Sequence, residues 1–364
     1  MKIAFYSDHL FPIYYNTDLV FSQELQKICG TCRLYRNPQT PKPGDYDALL
    51  IGQLHQKHGS SKWLKVCNSF GAAAKPITII NQSNCYDRYP FYDLPVEVCK
   101  HITAALPPGI LRSLPPSLRY KFKSLEFPSI YFGKSNKLLS LTKEQYFKKH
   151  NLTPSRKLLC VFADRSDRIS YSPRSAQYLS FYSKTLPVFI ETLKELGYQC
   201  IFKLHRQEFY PKTQNNTPFK EKSLLDILKD HKIPIASEKH SHELLTYSDF
   251  GLAFPTTMVG SLYHFNLPLI AIDYQLVYEI HASTYPYHHP TTPPDNNPFN
   301  FNDLCLGVDH PIEDINANTR SILKGRLNSS IDYDKFSNGH YVWGNSYNNK
   351  MSELASLLYS QLFK

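Results

Sequence analysis

Glycine is scarce, at 14 in 364 residues, and the chain has only three methionines and two tryptophans. So little glycine excludes collagen-like repeats and flexible Gly/Ser linkers. No apolar run approaches the roughly 20 residues that a membrane-spanning helix needs. The N-terminal stretch MKIAFYSDHLFP is broken by Asp8 and His9 before it reaches the length of a secretory core. A cytoplasmic protein is therefore expected. The eight cysteines are scattered along the chain, unlike the dense framework of a small secreted domain. No H-E-x-x-H occurs, and no second C-x-x-C joins the pair at Cys29 and Cys32 to complete a zinc ribbon. No metal site is expected. No repeat is visible at periods of 20–50 residues, and no helix-turn-helix, RNP or zinc-finger signature speaks for nucleic acid.

What the chain has in quantity is Tyr (26), Phe (22), Pro (26) and positive charge, with a formal net charge of +10. Its 42% hydrophobic content supplies real cores and excludes a mostly disordered chain. The length suggests about two domains. The basic balance favours anionic partners such as nucleotide phosphates, nucleic acid or acidic lipid, and charge alone does not choose among them.

Strand-like runs at residues 2–6, 45–52 and 76–82 alternate with a helical pattern at 17–29, which predicts an α/β fold with a parallel, doubly wound sheet. The stretch 106–130, crowded with proline and basic residues, reads as an irregular excursion. A helix over 142–149 and the polar run TPSRK put a domain boundary near 152–156. Beyond it, strands at 157–163, 198–204, 233–236, 249–254 and 268–273 alternate with helices over 185–196, 222–230, 241–247 and 257–265. Such units close into a second doubly wound, Rossmann-like domain. The expected division is 1–154, 155–345 and a last segment, 346–364, holding a terminal helix.

Ligands of open α/β sheets bind beyond the carboxyl ends of the strands. Three such ends in the second half are unusually polar: Asp164-Arg165 after the first strand, Lys203, His205 and Arg206 at the second, and Thr256-Thr257 after the strand 249–254. A helix N-terminus offers free N–H donors and partial positive charge to a phosphate. Thr hydroxyls add donors, and Arg165, His205 and Arg206 add charge. The plainer alternative is a Thr256 that caps its helix and basic residues that face solvent. In the first half, Asp8, His9, His55 and Asp87 all lie beyond strand ends, where a ligand of such a sheet would meet them; turn chemistry or surface polarity is the plainer reading. DYD at 45–47 has the letters of a metal-binding D-x-D but precedes a buried strand. The basic, aromatic run LRYKFKSLEF (118–127) suits either a solvated face or peripheral contact with an anionic membrane.

The stretches FKLHRQE (202–208) and ELLTYSDFGLAFPTTMVGSLYHFNLPLIAID (243–273) resemble the C-terminal domain of GT-B glycosyltransferases. The likeness is to the capsule and polysaccharide branches, including CDP-glycerol glycerophosphotransferases. Lys203 and His205 match a K-x-H-P element, with Arg206 in place of Pro. Ser248-Asp249 match a Ser-Asp strand, Thr256-Thr257 a Ser/Thr pair opening a helix, and Asn266-Leu267-Pro268 a Gly-Lys-Pro turn. Ser261 stands where many relatives carry a Glu that holds the donor's ribose or sugar. The resemblance covers about residues 157–275. It implies a GT-B fold of two Rossmann-like domains facing across a cleft, with the final helix crossing back to the first. It also implies metal-independent transfer of a sugar from a nucleotide donor, acting as co-substrate without any cofactor, to a glycan or lipid-linked acceptor. Arg165, Lys203, His205, Arg206, Thr256, Thr257 and Ser261 would line the donor site, and Asp8, His9, His55 and Asp87 would be the candidates on the acceptor side for a base that deprotonates an acceptor hydroxyl. Two other readings stay open: a nucleotide-sugar epimerase or hydrolase on the same scaffold, and a non-enzymatic protein that binds polyanions.

Overall fold

The buried run Ile3–Ser7 and its parallel neighbours build the first of two sheets. The computed structural model describes residues 1–7, 12–36, 38–52, 62–80, 95–106, 121–128, 130, 135–163, 174–209, 223–237, 240–254, 265, 267–273, 307–328 and 350–363. Strand β1 (Lys2–Ser7) is followed by helix α1 (Pro12–Cys29), β2 (Thr31–Arg36), β3 (Ala48–Ile51), α2 (Lys62–Ala72), β4 (Ile77–Ile80), a short α3 (Val96–Cys99), β5 (Ile102–Leu106) and β6 (Lys123–Glu126). The sheet order is β2-β1-β3-β4-β5-β6, and every pairing is parallel. Its inner strands are buried along their length, as ALLI and ITII show. That is the signature of a sheet covered on both faces. On α2, Trp63, Val66, Cys67 and Phe70 are buried at helical spacing. Gly71 lets α3 approach: a Cβ there would lie 3.0 Å from a methyl of Val98. Gly30, at φ +83°, ends α1 in the left-handed conformation that glycine adopts without strain.

The second sheet begins at β7 (Lys157–Phe162), preceded by α4 (Lys143–Lys149). It continues through α5 (Ser175–Ser180), α6 (Leu186–Glu195), β8 (Tyr198–Lys203), α7 (Leu224–Asp230), α8 (Ser241–Tyr247), β9 (Phe250–Ala253), β10 (Leu269–Ile272), β11 (Gly307–His310) and α9 (Ile312–Leu327). A five-residue π turn, Phe181–Thr185, joins α5 to α6 at Pro187, which has no N–H to continue the regular ladder. The order is β11-β10-β9-β7-β8, again parallel throughout. Ile235 bridges Phe202 beyond β8, so the order in chain sequence is 3-2-1-4-5-6, that of dinucleotide-binding folds. The last helix, α10 (Met351–Phe363), belongs to the first core, where Met351, Leu354 and Leu358 join Phe5, Phe21 and Leu25.

The chain divides into two compact units, one holding β1–β6 with α10 and the other β7–β11, and passes between them at Leu138–Leu139. The composition of TPSRK suggests residues 152–156 instead. The difference arises because α4 is tied to the second unit. Tyr146 meets Tyr247 with ring centroids 5.8 Å apart, and the Tyr247 hydroxyl donates to the Leu141 carbonyl at 2.7 Å. The stretch 106–130 is not wholly irregular, since it contains β6, and the run 233–236 is reduced to a single bridge.

Candidate functional site

Strand order reverses in the second unit between β7 and β9, and the crevice of such a sheet lies outside the carboxyl ends at that point. Here the Phe254 N–H donates to the Phe162 carbonyl at 2.9 Å, and the Ala163 N–H to the Lys203 carbonyl at 3.1 Å. The ends of β7, β8 and β9 are thereby held level. Lys203 closes β8 and is 9% exposed. His205, two residues on, is exposed, and Arg206 opens a 3-10 turn, Arg206–Phe209, in which Glu208 is buried. The structure thus brings Lys203, His205 and Arg206 to one strand end, beside the reversal point. Arg165, Thr256, Thr257 and Ser261 lie outside the described residues, as do Asp8, His9, His55 and Asp87. Along the chain, Arg165 follows Ala163 by two positions and Thr256 follows Phe254 by two.

Ser248 and Asp249 lie at the opposite end of the sheet. The Asp249 carboxylate accepts the Leu158 N–H at 2.8 Å, and its own N–H donates to the Leu158 carbonyl at 2.8 Å. The Ser248 hydroxyl donates to the Leu244 carbonyl at 2.7 Å. This pair starts β9 in register with β7 and is remote from the crevice. DYD is also at an amino end: the Lys2 N–H donates to the Asp47 carboxylate at 2.7 Å, beside the start of β1. Among the described residues no three His, Cys, Asp or Glu side chains cluster as metal ligands.

Two features at the carboxyl ends carry no sequence motif. Asp273 follows β10 at φ +52°. Three other non-glycine residues of positive φ, Ala74, Asn151 and Lys232, follow helices, where such a turn is routine. Asp273 is buried and accepts the Ile312 N–H at 3.1 Å and the Arg174 guanidinium at 2.5 Å. Arg174 also reaches Glu313 at 2.8 Å. Burial pushes the Asp273 carboxyl up, against the pull of the Ile312 N–H and Arg174. The start of α5, the end of β10 and the start of α9 are fastened together in this way.

In the first unit the order reverses between β1 and β3, whose ends are joined by the Gly52 N–H donating to the Tyr6 carbonyl at 3.0 Å. Ser7, the last residue of β1, donates its hydroxyl to the Asp18 carboxyl of α1, and both residues are 0% exposed. Burial pushes the Asp18 carboxyl well above the ordinary aspartate range, with the Ser7 hydroxyl pulling the other way.

Two parallel sheets, each with its own reversal point and helical cover, are the two Rossmann-like halves of one architecture. The chain has the GT-B fold. It is similar over its length to solved members of that class. The UDP-GlcNAc 2-epimerase of Methanocaldococcus jannaschii shares 12% identity with a TM-score of 0.55, over 99% of this chain and 100% of that one. The UDP-GlcNAc 2-epimerase of Neisseria meningitidis, bound to UDP-GlcNAc, shares 12% identity with a TM-score of 0.52, over 100% and 99%. The glycosyltransferase SnogD of Streptomyces nogalater shares 9% identity with a TM-score of 0.50, over 99% of each chain. No protein-family model and no curated protein matches the chain. Among the described residues no helix is long and apolar enough to cross a membrane.

Proposed function

We propose that this chain is a nucleotide-sugar glycosyltransferase. The observation that carries the reading is the placement of nearly buried Lys203, with His205 and Arg206, beside the reversal point of a 3-2-1-4-5-6 sheet. Ligands of open α/β sheets bind beyond the carboxyl ends at such a reversal point, and cations placed there suit a nucleotide's phosphates. In this reading Thr256 and Thr257 give hydroxyl and backbone donors to the diphosphate, and Lys203, His205, Arg206 and Arg165 give positive charge. Ser261 takes the place beside the sugar or ribose. As the bond to the transferred sugar breaks, the leaving nucleotide gains negative charge. Fixed donors and cations stabilise that charge in place of a metal ion. Asp8, His9 and Asp87 supply the base for an acceptor hydroxyl on a glycan or a lipid-linked glycan, with the acceptor reached in the cytoplasm or at an anionic membrane surface.

Thermal-shift titration against UDP, GDP, CDP, CMP and ADP at two salt concentrations tests the donor site. A saturable shift with one nucleotide is expected, because a ligand that binds only the folded state stabilises it by mass action. The double change Thr256→Val and Thr257→Val should abolish that shift without unfolding the protein. Full binding by that variant would overturn the assignment, and shifts that are equal for all nucleotides and vanish with salt would identify a polyanion binder.

A second reading is favoured by the epimerases among the similar structures: a nucleotide-sugar epimerase that needs no acceptor. Product analysis with the nucleotide sugar alone separates the two. A 2-epimeric sugar nucleotide formed without acceptor would establish epimerisation.

A further inference from the structure

The buried face of α1 changes character along its length. Phe21, Leu25 and Cys29 are apolar, and Phe21 packs on Phe5 with ring centroids 6.3 Å apart. One turn nearer the helix start, Thr17 and Asp18 are both 0% exposed. The helix runs antiparallel to β1: its last residue, Cys29, accepts the Met1 ammonium at 3.2 Å, and Asp18 meets Ser7 at the other end. The polar part of this face therefore lies at the crevice end of the sheet and the apolar part at the far end. A carboxyl withdrawn from water is a costly way to fill a core, where an apolar side chain of similar size packs without that penalty. Buried acids with displaced proton affinity gather where chemistry is done.

We propose that Asp18 is a positioning residue, whose carboxyl fixes the end of β1 through Ser7 for the acceptor-side chemistry of the first unit. This rests on the transferase reading above. Asp18 is 0% exposed, and the contact through which it acts is with the last residue of the strand. The Ser7 hydroxyl donates to the carboxyl, and the carbonyl of Tyr6, next to it, receives the N–H of Gly52, the residue that follows β3. One contact thus sets both strands at the reversal point.

The test compares Asp18→Asn, which keeps an oxygen for the Ser7 hydroxyl, with Asp18→Leu, which keeps the size and removes that oxygen. Ser7→Ala removes the donor and serves if Asp18→Leu fails to fold. Asp18→Leu and Ser7→Ala should each lower kcat about 100-fold, the scale of a misplacement near 1 Å, with the affinity for the donor nucleotide within about twofold. Asp18→Asn should restore kcat to near wild type. Amide exchange at Gly52 should rise in both Asp18→Leu and Ser7→Ala, and not in Asp18→Asn. Unchanged kcat, or a fall in nucleotide affinity equal to the fall in kcat, would overturn the inference. If wild-type protein turns over no nucleotide sugar, the transferase reading fails separately, and exchange at Gly52 then decides: no difference between wild type and Asp18→Leu sinks the positioning role.

Discussion

Two buried carboxyls, one in each unit, are pushed in opposite directions. Asp18 sits beside Ser7, and burial dominates, so its carboxyl is raised well above the ordinary range. Glu243, on α8, is 1% exposed, and burial is again the largest single influence on it. Yet its carboxylate accepts the Ser140 N–H at 2.7 Å, the Ser140 hydroxyl at 2.8 Å and the Leu141 N–H at 3.1 Å, with His240 at 3.4 Å. Together these donors outweigh burial and lower it. Depth alone does not decide whether a buried acid carries charge; the donors that face it do. Glu243 is built as an anion that holds the first residues of the second unit, and Asp18 as an acid that readily keeps its proton.

The largest way to sharpen this contrast is Glu243→Leu. It removes the carboxylate that accepts three hydrogen bonds from Ser140 and Leu141, each worth about 1.5–3 kcal/mol when made to a charged group, so the second unit should lose several kcal/mol. Hydrogen exchange in β7 should accelerate while β4 stays protected; equal acceleration in both would show that the units do not open separately. On the other side, Leu358→Ala empties a buried position on α10 and should cost the first unit about 3 kcal/mol, with exchange rising in β1 and not in β8. The pH dependence should have opposite signs. The lowered carboxyl of Glu243 contributes stability that is complete above its ordinary value of 4.5 and is lost as pH falls through its native value. The raised carboxyl of Asp18 makes the folded state bind more protons than the unfolded one, so stability falls as pH climbs above 3.8 toward its native value. Denaturation midpoints across pH for Glu243→Gln and Asp18→Asn should each flatten one arm of that profile. The smallest effect is Thr142→Ala, which removes a capping box on α4 and should cost about 1 kcal/mol, read by urea denaturation.

Much of the fold is legible in the sequence because its inner strands are unbroken apolar runs. KLLCVF and ITII announce themselves, and the 3.6-residue rhythm of LPVFIETLKE does the same for α6. The strands that the sequence hides are β2, β6 and β11 at sheet edges and the inner β5, whose ITAAL is too rich in alanine to stand out as an apolar run. KSLE in β6 is mostly exposed, and TCRLYR in β2 is only partly buried, so neither shows the periodicity of a covered strand. At the candidate site, Lys203 and His205 are legible because they directly follow the apolar run of β8. The fastening of Arg174 to Asp273 is not, since the partners lie 99 positions apart, and Asp18 is not, since it meets Ser7 only when α1 folds back along β1. Ser248 and Asp249 show the converse: residues that match a pattern next to a site and serve only to register two strands.

The seating of α10 on α1 has a consequence for synthesis. The first unit is discontinuous in sequence, with the whole of β7–β11 threaded between β6 and its last helix. On the ribosome, domains fold as they emerge, yet the first unit must wait with Phe21 and Leu25 short of their partners until residues 351–363 have left the exit tunnel. The second unit, made later, has all of its strands first. Vectorial translation therefore completes the two halves in the reverse of their order along the gene.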